Sequence, residues 1–263
     1  MSKLRVLDLF SGIGGFSLGL ERTGGFETVA FCEIEDFPRR VLAKHWPNVP
    51  CYTDVRELTG ERLAADGIAV DVITGGFPCQ DISIAGKGAG LAGARSGLWA
   101  EIARLVSELL PLVAIMENSS ELLGRGFETV LSDLAEIGYD AEWHCIPATY
   151  VGAPHGRDRV WIVASRSSSG RNLADTVQTD AIRSADAGFS AFAHQGGPWI
   201  HEGRFAQAWW NWPPEPQLDR VVDGLPGEVD RSNGACGNAV VPLIPEIIGR
   251  AILASLEQQR RAA

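Results

Sequence analysis

Through the first 165 residues, short runs of β-branched and other apolar residues alternate with longer amphipathic stretches. The short runs predict strands at 4–10, 27–33, 70–76, 112–117 and 159–165. Apolar positions at helical spacing predict helices at 14–24, 36–46, 57–66, 97–110 and 120–137, with a stop at Gly138. Strands that alternate with helices form parallel sheets covered on both faces. The pattern therefore predicts an α/β fold with binding sites at the C-terminal ends of its strands.

The pattern changes after residue 165, where serine, glycine, aspartate and proline become frequent and no long period survives. Helical spacing returns at 241–259, in a helix that we expect to pack back onto the first domain. The sequence thus predicts one domain made of 1–165 and 234–263 and a small, loop-rich second domain at 166–233. We expect the second domain to use Trp209, Trp210 and Trp212 as core rather than as a base-stacking surface.

Composition narrows the class of protein. The chain has 263 residues, 45% of them hydrophobic and 21% charged, which excludes disordered and fibrous proteins. No stretch approaches the roughly 20 consecutive apolar residues of a membrane-spanning helix and no signal-peptide core precedes the first strand, so we expect a soluble, cytoplasmic protein. Five scattered cysteines without a C-x-x-C spacing fit neither a disulfide framework nor a metal site. The net charge of −10 confines any nucleic-acid site to a local patch.

A glycine-rich turn follows the first predicted strand, in the segment DLFSGIGGF from Asp8 to Phe16. Glycines let the backbone approach a ligand closely there, although a tight strand-to-helix turn would explain the spacing equally well. Two acids follow short apolar segments further along the chain, Glu33 after AFC and Asp54 after CYT, and we expect both at strand ends. A doubly wound fold holds ribose and adenine at such positions, but each acid taken singly is also compatible with a solvated surface.

A cysteine follows the strand VDVIT in the segment GFPCQ. Pro78 restricts the backbone before Cys79 and displays the thiol towards the cleft, whereas an arbitrary cysteine is more often a small buried apolar residue. The strand LVAIM ends in Glu117 and Asn118. Because neighbouring parallel strands end at one edge of a sheet, we expect Glu117 beside Cys79, where a carboxyl can supply or hold a proton for a nucleophile.

Two further segments carry candidate residues. The segment HGRDR precedes the strand VWIVA and places Arg157 and Arg159 at alternate positions on one side of an extended chain. Surface salt bridges would explain this pair equally well. The segment CGNAVVP, at 236–242, leads into the last helix as a turn that could close over a bound ligand.

These segments and their order resemble the motifs of the cytosine-5 DNA methyltransferases, over residues 4–165 and 234–260. Along the chain the segments are DLFSGIGG, GFPCQ, EN, HGRDR and GNAV. The resemblance implies a Rossmann-like methyltransferase fold with S-adenosylmethionine as cofactor and a target recognition domain at 166–233. It further implies that the substrate is double-stranded DNA with a short recognition sequence and that the protein is a monomer. It also implies a bacterial or phage source, in which a companion restriction endonuclease is possible. His155, Ser119 and Cys236 depart from the family's usual residues, and none of them removes a group that makes or breaks a bond.

The resemblance also implies a mechanism. The Cys79 thiolate would add to C6 of cytosine and make C5 nucleophilic enough to take a methyl group. Glu117 would act at N3 and the exocyclic amine, and Asn118 would hold the geometry of that site. Arg157 and Arg159 would bind O2 and the adjacent phosphate, Arg159 being the closer match to the family's catalytic arginine. Because the ring is inaccessible inside a duplex, the base would have to flip out of the stack.

Other contacts are carried over from the family's motifs. The resemblance assigns the cofactor to Phe10, Ser11, Gly12, Gly14, Glu33, Ile34, Asp54, Pro78, Leu98, Asn238 and Val240. It assigns the DNA to residues in and before the glycine-rich segment that closes over the flipped base in the family, namely Gln80, Ser83, Lys87, Arg95 and Ser96.

Alternatives from other classes stay open. An RNA methyltransferase of the tRNA-modifying branch resembles the same motif set, and the segment between the arginines and GNAV favours DNA only by analogy. A catalytically silent DNA-binding relative would have no need of Cys79, Glu117 and the arginine pair. Enzymes that methylate exocyclic amines use a Pro-Pro-aromatic motif, whereas Pro213 and Pro214 are followed by Glu215.

Overall fold

The computed structural model describes residues 2–77, 97–124, 126–153, 156–166 and 239–262. The strands of this part of the chain are β1 (Leu4–Leu9), β2 (Phe26–Cys32), β3 (Cys51–Tyr52), β4 (Val72–Gly76), β5 (Val113–Ser119), β6 (Tyr139–Pro147) and β7 (Asp158–Arg166). They form one seven-stranded sheet in the order β3-β2-β1-β4-β5-β7-β6. The predicted α/β fold class is thereby confirmed.

Helices cover both faces of the sheet. They are α1 (Gly15–Arg22), α2 (Asp36–His45), α3 (Gly60–Ala65), α4 (Leu98–Leu109), α5 (Phe127–Ile137) and α6 (Leu243–Ala262). One apolar cluster joins α1 and α6 to the sheet, and a second cluster joins α3, α4 and α5 to its other face. Of the helices that the structure describes, none has the length and apolar character needed to cross a membrane.

The sheet has a topological switch point beside β1. β2 lies on one side of β1 and β4 on the other, and both pairs are parallel. Ligands of open α/β sheets bind at such a point, beyond the C-terminal ends of the two central strands. The glycine-rich turn follows β1 and Phe77 follows β4, so both lie at this edge.

The prediction of a parallel sheet is wrong for the strands beyond β5, namely β7 and β6. β7 runs antiparallel to β5 and to β6, and Ser119 at the end of β5 is the register partner of Arg159 near the start of β7. This reversal has a functional consequence. The beginning of β7, rather than its end, lies at the edge where the parallel strands finish.

Two other predictions need correction. The single helix predicted at 120–137 is a short 3₁₀ helix, Ser120–Gly124, followed by α5, because Gly126 takes a left-handed conformation with φ of 90° and interrupts the helix. Strand β6 was not predicted, since its exposed Trp143, His144 and Cys145 break the alternation typical of a half-buried strand. The predicted stop at Gly138 is confirmed, with φ of 91°.

Helix α1 packs closely against the segment that leads into α6, because α1 carries glycines at the contact. A Cβ on Gly15 would lie 2.5 Å from the Val240 carbonyl oxygen, and a Cβ on Gly19 would overlap the Pro242 carbonyl oxygen. These glycines therefore allow the two segments to pack backbone against backbone.

We expect Gly19→Ala to destabilise the protein by about 1–3 kcal/mol, because the added methyl group overpacks a backbone contact. In an open helix interior the same change would stabilise by up to about 1 kcal/mol. Urea unfolding measures the free energy of unfolding and so shows whether the substitution destabilises or stabilises the protein. Gly124→Ala is the control, since a Cβ there meets no atom within 4 Å. A Gly19 variant at least as stable as wild type would contradict the prediction.

Candidate active site

The turn after β1 is held in backbone conformations that favour glycine. Phe10 and Gly12 each have φ of 51°, and Gly14 has φ of 88°. A positive φ at a non-glycine residue is strained, and such strain concentrates at functional sites. A Cβ on Gly12 would meet no atom of the described residues within 4 Å, whereas one on Gly14 would lie 2.7 Å from the Trp46 ring. Gly12 therefore borders open space, and Gly14 is required by packing.

Glu33 anchors this turn from the end of β2. One of its carboxylate oxygens accepts the Gly12 N–H at 2.7 Å, and the other accepts the Glu35 N–H at 2.8 Å. The side chain is 7% exposed. Each carboxylate oxygen has a second lone pair, so Glu33 can hold the turn and still accept a hydrogen bond from a ligand hydroxyl.

The remaining predicted cofactor residues in the described ranges have different environments. Ile34 leaves 58% of its surface exposed directly beside Glu33. The guanidinium of Arg56 binds the Asp54 carboxylate at 2.9 Å and lowers the pKa of Asp54. Leu98 begins α4 and packs against the sheet. The exposed Ile34 therefore offers an apolar surface at the site, and Asp54 offers a charged one.

Ser11 has its hydroxyl occupied within the fold. Its Oγ donates to the Asp8 carbonyl oxygen at 2.5 Å and accepts the Cys32 N–H at 3.3 Å. These bonds tie the ends of β1 and β2 together. The Ser11 N–H also donates to the Cys32 carbonyl oxygen at 3.3 Å, so a ligand donor would be accepted by the second lone pair of the Ser11 hydroxyl or carbonyl oxygen.

Glu117 is a nearly buried carboxylate at the end of β5. Its register partner on β4 is Gly76, where a Cβ would lie 3.2 Å from Glu117 Oε2, so the glycine leaves room for the carboxylate. Arg159 Nε lies 3.0 Å from Glu117 Oε1. Burial raises the pKa of Glu117, and the charges of Arg159 and Arg157 oppose this shift. The site thus favours a proton on Glu117 more than water does, while keeping two cations close by.

Arg157 joins this group from outside the strand. β7 begins at Asp158, so Arg159 lies on the strand and Arg157 directly precedes it. The Arg157 carbonyl oxygen accepts the Ala148 N–H at 2.9 Å. Burial and the charge of Arg159 lower the pKa of Arg157, and Glu117 opposes them. The structure therefore brings Glu117, Arg157 and Arg159 into one electrostatic group.

Asn118 connects the end of β5 to the end of β4. Its side-chain N–H donates to the Phe77 carbonyl oxygen at 2.9 Å, and its side-chain oxygen accepts the Ser119 N–H at 2.7 Å. Since both ends of the amide are used, the side chain has a single orientation. Asn118 thereby fixes the last described residue before Pro78 and Cys79.

Several predicted site residues lie outside the described residues. They are Pro78, Cys79, Gln80, Ser83, Lys87, Arg95, Ser96 and Asn238, together with His155, Cys236 and the second domain predicted at 166–233.

A model of the family described as C-5 cytosine-specific DNA methylase matches residues 4–192. The chain belongs to this family. Among its relatives, Type II methyltransferase M1.ScrFI of Lactococcus lactis subsp. cremoris is 33% identical over 66% of this chain and 44% of that protein. Type II methyltransferase M.CviJI of Paramecium bursaria Chlorella virus IL3A is 36% identical over 62% of this chain and 43% of that protein. The chain thus spans less than half the length of these curated relatives.

Solved structures give the same family and fold. A crystal structure of an E. coli protein described as a prophage-encoded DNA modification methyltransferase is 30% identical, with a TM-score of 0.54 over 66% of this chain and 50% of that chain. A Spodoptera frugiperda DNMT2 mutant is 23% identical, with a TM-score of 0.52 over 62% and 50% of the two chains, which shows likeness of fold alone. The sheet of this chain is therefore a Rossmann-like methyltransferase sheet.

The sequence pattern did not predict the buried carboxyl of Asp8 on β1. It is fully buried, and its two oxygens accept the Ser17 hydroxyl at 2.7 Å and the Thr74 hydroxyl at 2.8 Å. Burial raises the pKa of Asp8 to about 7. The signal was present in the sequence, because an acid inside an apolar strand needs buried partners.

We expect Asp8 to make the stability of the protein fall as the pH rises. Its pKa is about 7 in the fold against an ordinary 3.8, so the folded state keeps the proton that the unfolded state has already lost. Relative to Asp8→Asn, the free energy of unfolding of the wild type should drop by about 2–3 kcal/mol between pH 5 and pH 8. Urea unfolding of both proteins at several pH values measures this difference. Parallel pH profiles would contradict the prediction.

Proposed function

We propose that this protein is a DNA (cytosine-5-)-methyltransferase that transfers a methyl group from S-adenosylmethionine to C5 of a flipped cytosine in a short DNA sequence. The observation that carries the proposal is the group of Glu117, Arg157 and Arg159 at the sheet edge where β4 and β5 end. This group lies at the edge where β4 leads into the segment that carries Cys79. A protonatable carboxyl and two cations beside a nucleophile suit addition to a pyrimidine ring.

The turn after β1 fits the proposed cofactor. Gly12 borders open space, Glu33 keeps acceptor lone pairs for ribose hydroxyls, and the exposed Ile34 suits the face of an adenine ring. Bound S-adenosylmethionine supplies an electrophilic methyl group. The residues proposed to hold it are Phe10, Ser11, Gly12, Gly14, Glu33, Ile34, Asp54, Leu98 and Val240, with, from the family's motifs, Pro78 and Asn238.

Cys79 is the proposed nucleophile. C5 of cytosine is too weakly nucleophilic to be methylated directly, so the thiolate first forms a bond to C6 and the ring electrons move towards C5 and N3. C5 then takes up the methyl group as the bond from that methyl to the sulfonium sulfur breaks, which leaves a neutral thioether. Water takes up the C5 proton, whose electron pair returns to the ring, so the C5–C6 double bond forms again and the bond to Cys79 breaks. Any proton given to N3 returns to Glu117, and the thiolate is regenerated.

Glu117 is proposed to give a proton or a hydrogen bond to N3 as the thiolate adds. Burial supports this role, because it raises the pKa of Glu117 and so favours the protonated carboxyl. Arg159, 3.0 Å from the carboxylate, orients it and limits that shift. Asn118 is proposed to hold the geometry by its bond to the Phe77 carbonyl oxygen.

The two arginines are proposed to bind O2 of the base and an adjacent phosphate. Guanidinium groups suit such oxygens because they present several donors in one plane. Their positive charge at the same edge also favours ionisation of the Cys79 thiol. Arg159 is the better candidate for contact with the base, since it already lies against Glu117.

Double-stranded DNA is the proposed substrate, and the target base is proposed to flip out because its C6 is shielded inside a duplex. Gln80, Ser83, Lys87, Arg95 and Ser96 are the proposed DNA contacts. The names of the relatives, Type II methyltransferases, favour a role in restriction and modification with a companion endonuclease. We propose that the enzyme acts as a monomer in the cytoplasm of a bacterium or phage host. Gel filtration with and without DNA tests the oligomeric state.

The test is transfer of labelled methyl from S-adenosylmethionine to unmethylated plasmid DNA, followed by conversion sequencing of the product. We expect label at C5 of cytosine within one short sequence. Label on tRNA and not on DNA would replace the proposal by an RNA methyltransferase. Cofactor binding without label on either nucleic acid would indicate a silent DNA-binding relative.

A further inference from the structure

Two aromatic residues flank the segment 78–96 along the chain, and their rings are in contact. Phe77 follows the last residue of β4, and Trp99 is the second residue of α4. The ring centroids are 5.3 Å apart with an interplanar angle of 44°. The structure therefore joins the residues before and after this segment within one apolar layer of the core.

A hydrogen bond to a buried polar side chain holds each of the two residues. The Phe77 backbone carbonyl oxygen accepts a hydrogen bond from the Asn118 side chain at 2.9 Å. The Trp99 indole N–H donates to Asp133 Oδ2 on α5, also at 2.9 Å. Phe77, Trp99 and Asp133 are 3%, 4% and 5% exposed. The Phe77 backbone and the Trp99 ring are thus each fixed by a hydrogen bond, and the Phe77 ring is fixed by its packing against Trp99.

The position of Asp133 calls for an explanation beyond stability. It lies among the buried residues of α5, on the face that also carries Val130 and Leu134, where an apolar residue would pack without a desolvation cost. A carboxylate there gives the indole one orientation, because the N–H can be satisfied only when it points at the carboxylate. Buried polar contacts of this kind specify geometry more than they add to stability.

We propose that Asp133 and Trp99 are positioning residues for Cys79 and act on it through Phe77. This inference rests on the proposed function, in which Cys79 is the nucleophile. Cys79 follows Phe77 by two residues, so covalent geometry keeps its Cα within roughly 7 Å of the Phe77 Cα. An error in the placement of Phe77 is therefore passed to the thiol, and a misplacement on the order of 1 Å costs up to about 100-fold in rate.

The test compares Asp133→Ala and Trp99→Phe with wild type in the DNA methylation assay. Both variants should lower kcat at least tenfold and leave the Kd for S-adenosylmethionine within twofold, because most of the proposed cofactor contacts lie on the turn after β1 and at the end of β2, which other residues hold. Trapping on a duplex with 5-fluorocytosine at the target position should slow by the same factor, since it reports attack by Cys79. Asp133→Asn, whose amide oxygen can still accept the indole N–H, should restore most of the rate.

A matched control distinguishes loss of activity through unfolding from loss through misplacement of Cys79. Val130→Ala removes buried volume from the same helix without touching the hydrogen bond, and it should keep kcat near wild type at an equal loss of Tm. Because the two residues act as one unit, the double variant should lose no more than the larger single loss. Wild-type kcat in folded Asp133→Ala, or an equal loss in Val130→Ala, would overturn the inference. An inactive wild type would instead count against the proposed function.

Discussion

Cys79→Ser is expected to lower methyl transfer to DNA by more than about a thousandfold, which is the largest effect foreseen for this protein. A serine hydroxyl is far less ionised than a thiol near neutral pH and is the poorer nucleophile, so addition to C6 fails. Incorporation of labelled methyl into unmethylated plasmid measures the loss. With a 5-fluorocytosine duplex, the wild type should form a covalent complex that survives denaturation, and the serine variant should not.

The control for this substitution is Cys145→Ser on strand β6. Cys145 is a free, exposed cysteine far along the chain from the proposed nucleophile, so its loss should leave activity unchanged. Cys79→Ser should also bind S-adenosylmethionine with the Kd of the wild type, because the proposed cofactor contacts do not include this thiol. Methylation that persists in Cys79→Ser would remove the covalent mechanism.

The local pattern of the sequence was enough to find most strands and the turns that follow them. β1 is an apolar run that ends at a glycine-rich turn, and Gly138 ends α5 in a left-handed conformation that glycine favours. Each of these features depends only on a few neighbouring residues. The wrong prediction at 120–137 also has a local cause, since Gly126 interrupts a stretch whose apolar spacing is otherwise helical.

The direction of β7 could not be predicted, because strand pairing depends on contacts distant in the chain. The run RVWIVAS is equally apolar whichever way it enters the sheet. Its antiparallel entry places Arg159 opposite Ser119 and within reach of Glu117. The sequence supplied both residues as candidates, but their 3.0 Å ion pair follows from register alone.

The same reasoning explains the buried carboxyls that were missed. Asp8 and Asp133 stand at positions where an apolar residue would satisfy the local pattern, so the pattern does not distinguish them from chance departures. Their partners, Thr74 and Trp99, come from other elements of the fold. Buried carboxyls with distant partners thus join the central strands and helices around the proposed site.

Glu117→Gln is expected to lower kcat by roughly 10²- to 10⁴-fold, the usual contribution of a positioned general acid. The amide fills the same space beside Gly76 and can donate a hydrogen bond, but it cannot give up a proton to N3. The Kd for S-adenosylmethionine should not change. Glu121→Gln, which alters an exposed acid four residues later, is the matched control and should keep wild-type activity.

The pH profile distinguishes proton donation by Glu117 from simple charge pairing. A general acid works in its protonated form, so the wild-type rate should fall as the pH rises through the pKa of Glu117. Burial raises that pKa, so the fall should come at higher pH than an ordinary glutamate would give. The Gln variant should lack this alkaline decrease and retain only the rise from ionisation of the Cys79 thiol. Profiles of the same shape in both proteins would assign Glu117 to binding the base and would leave N3 to be protonated by another group.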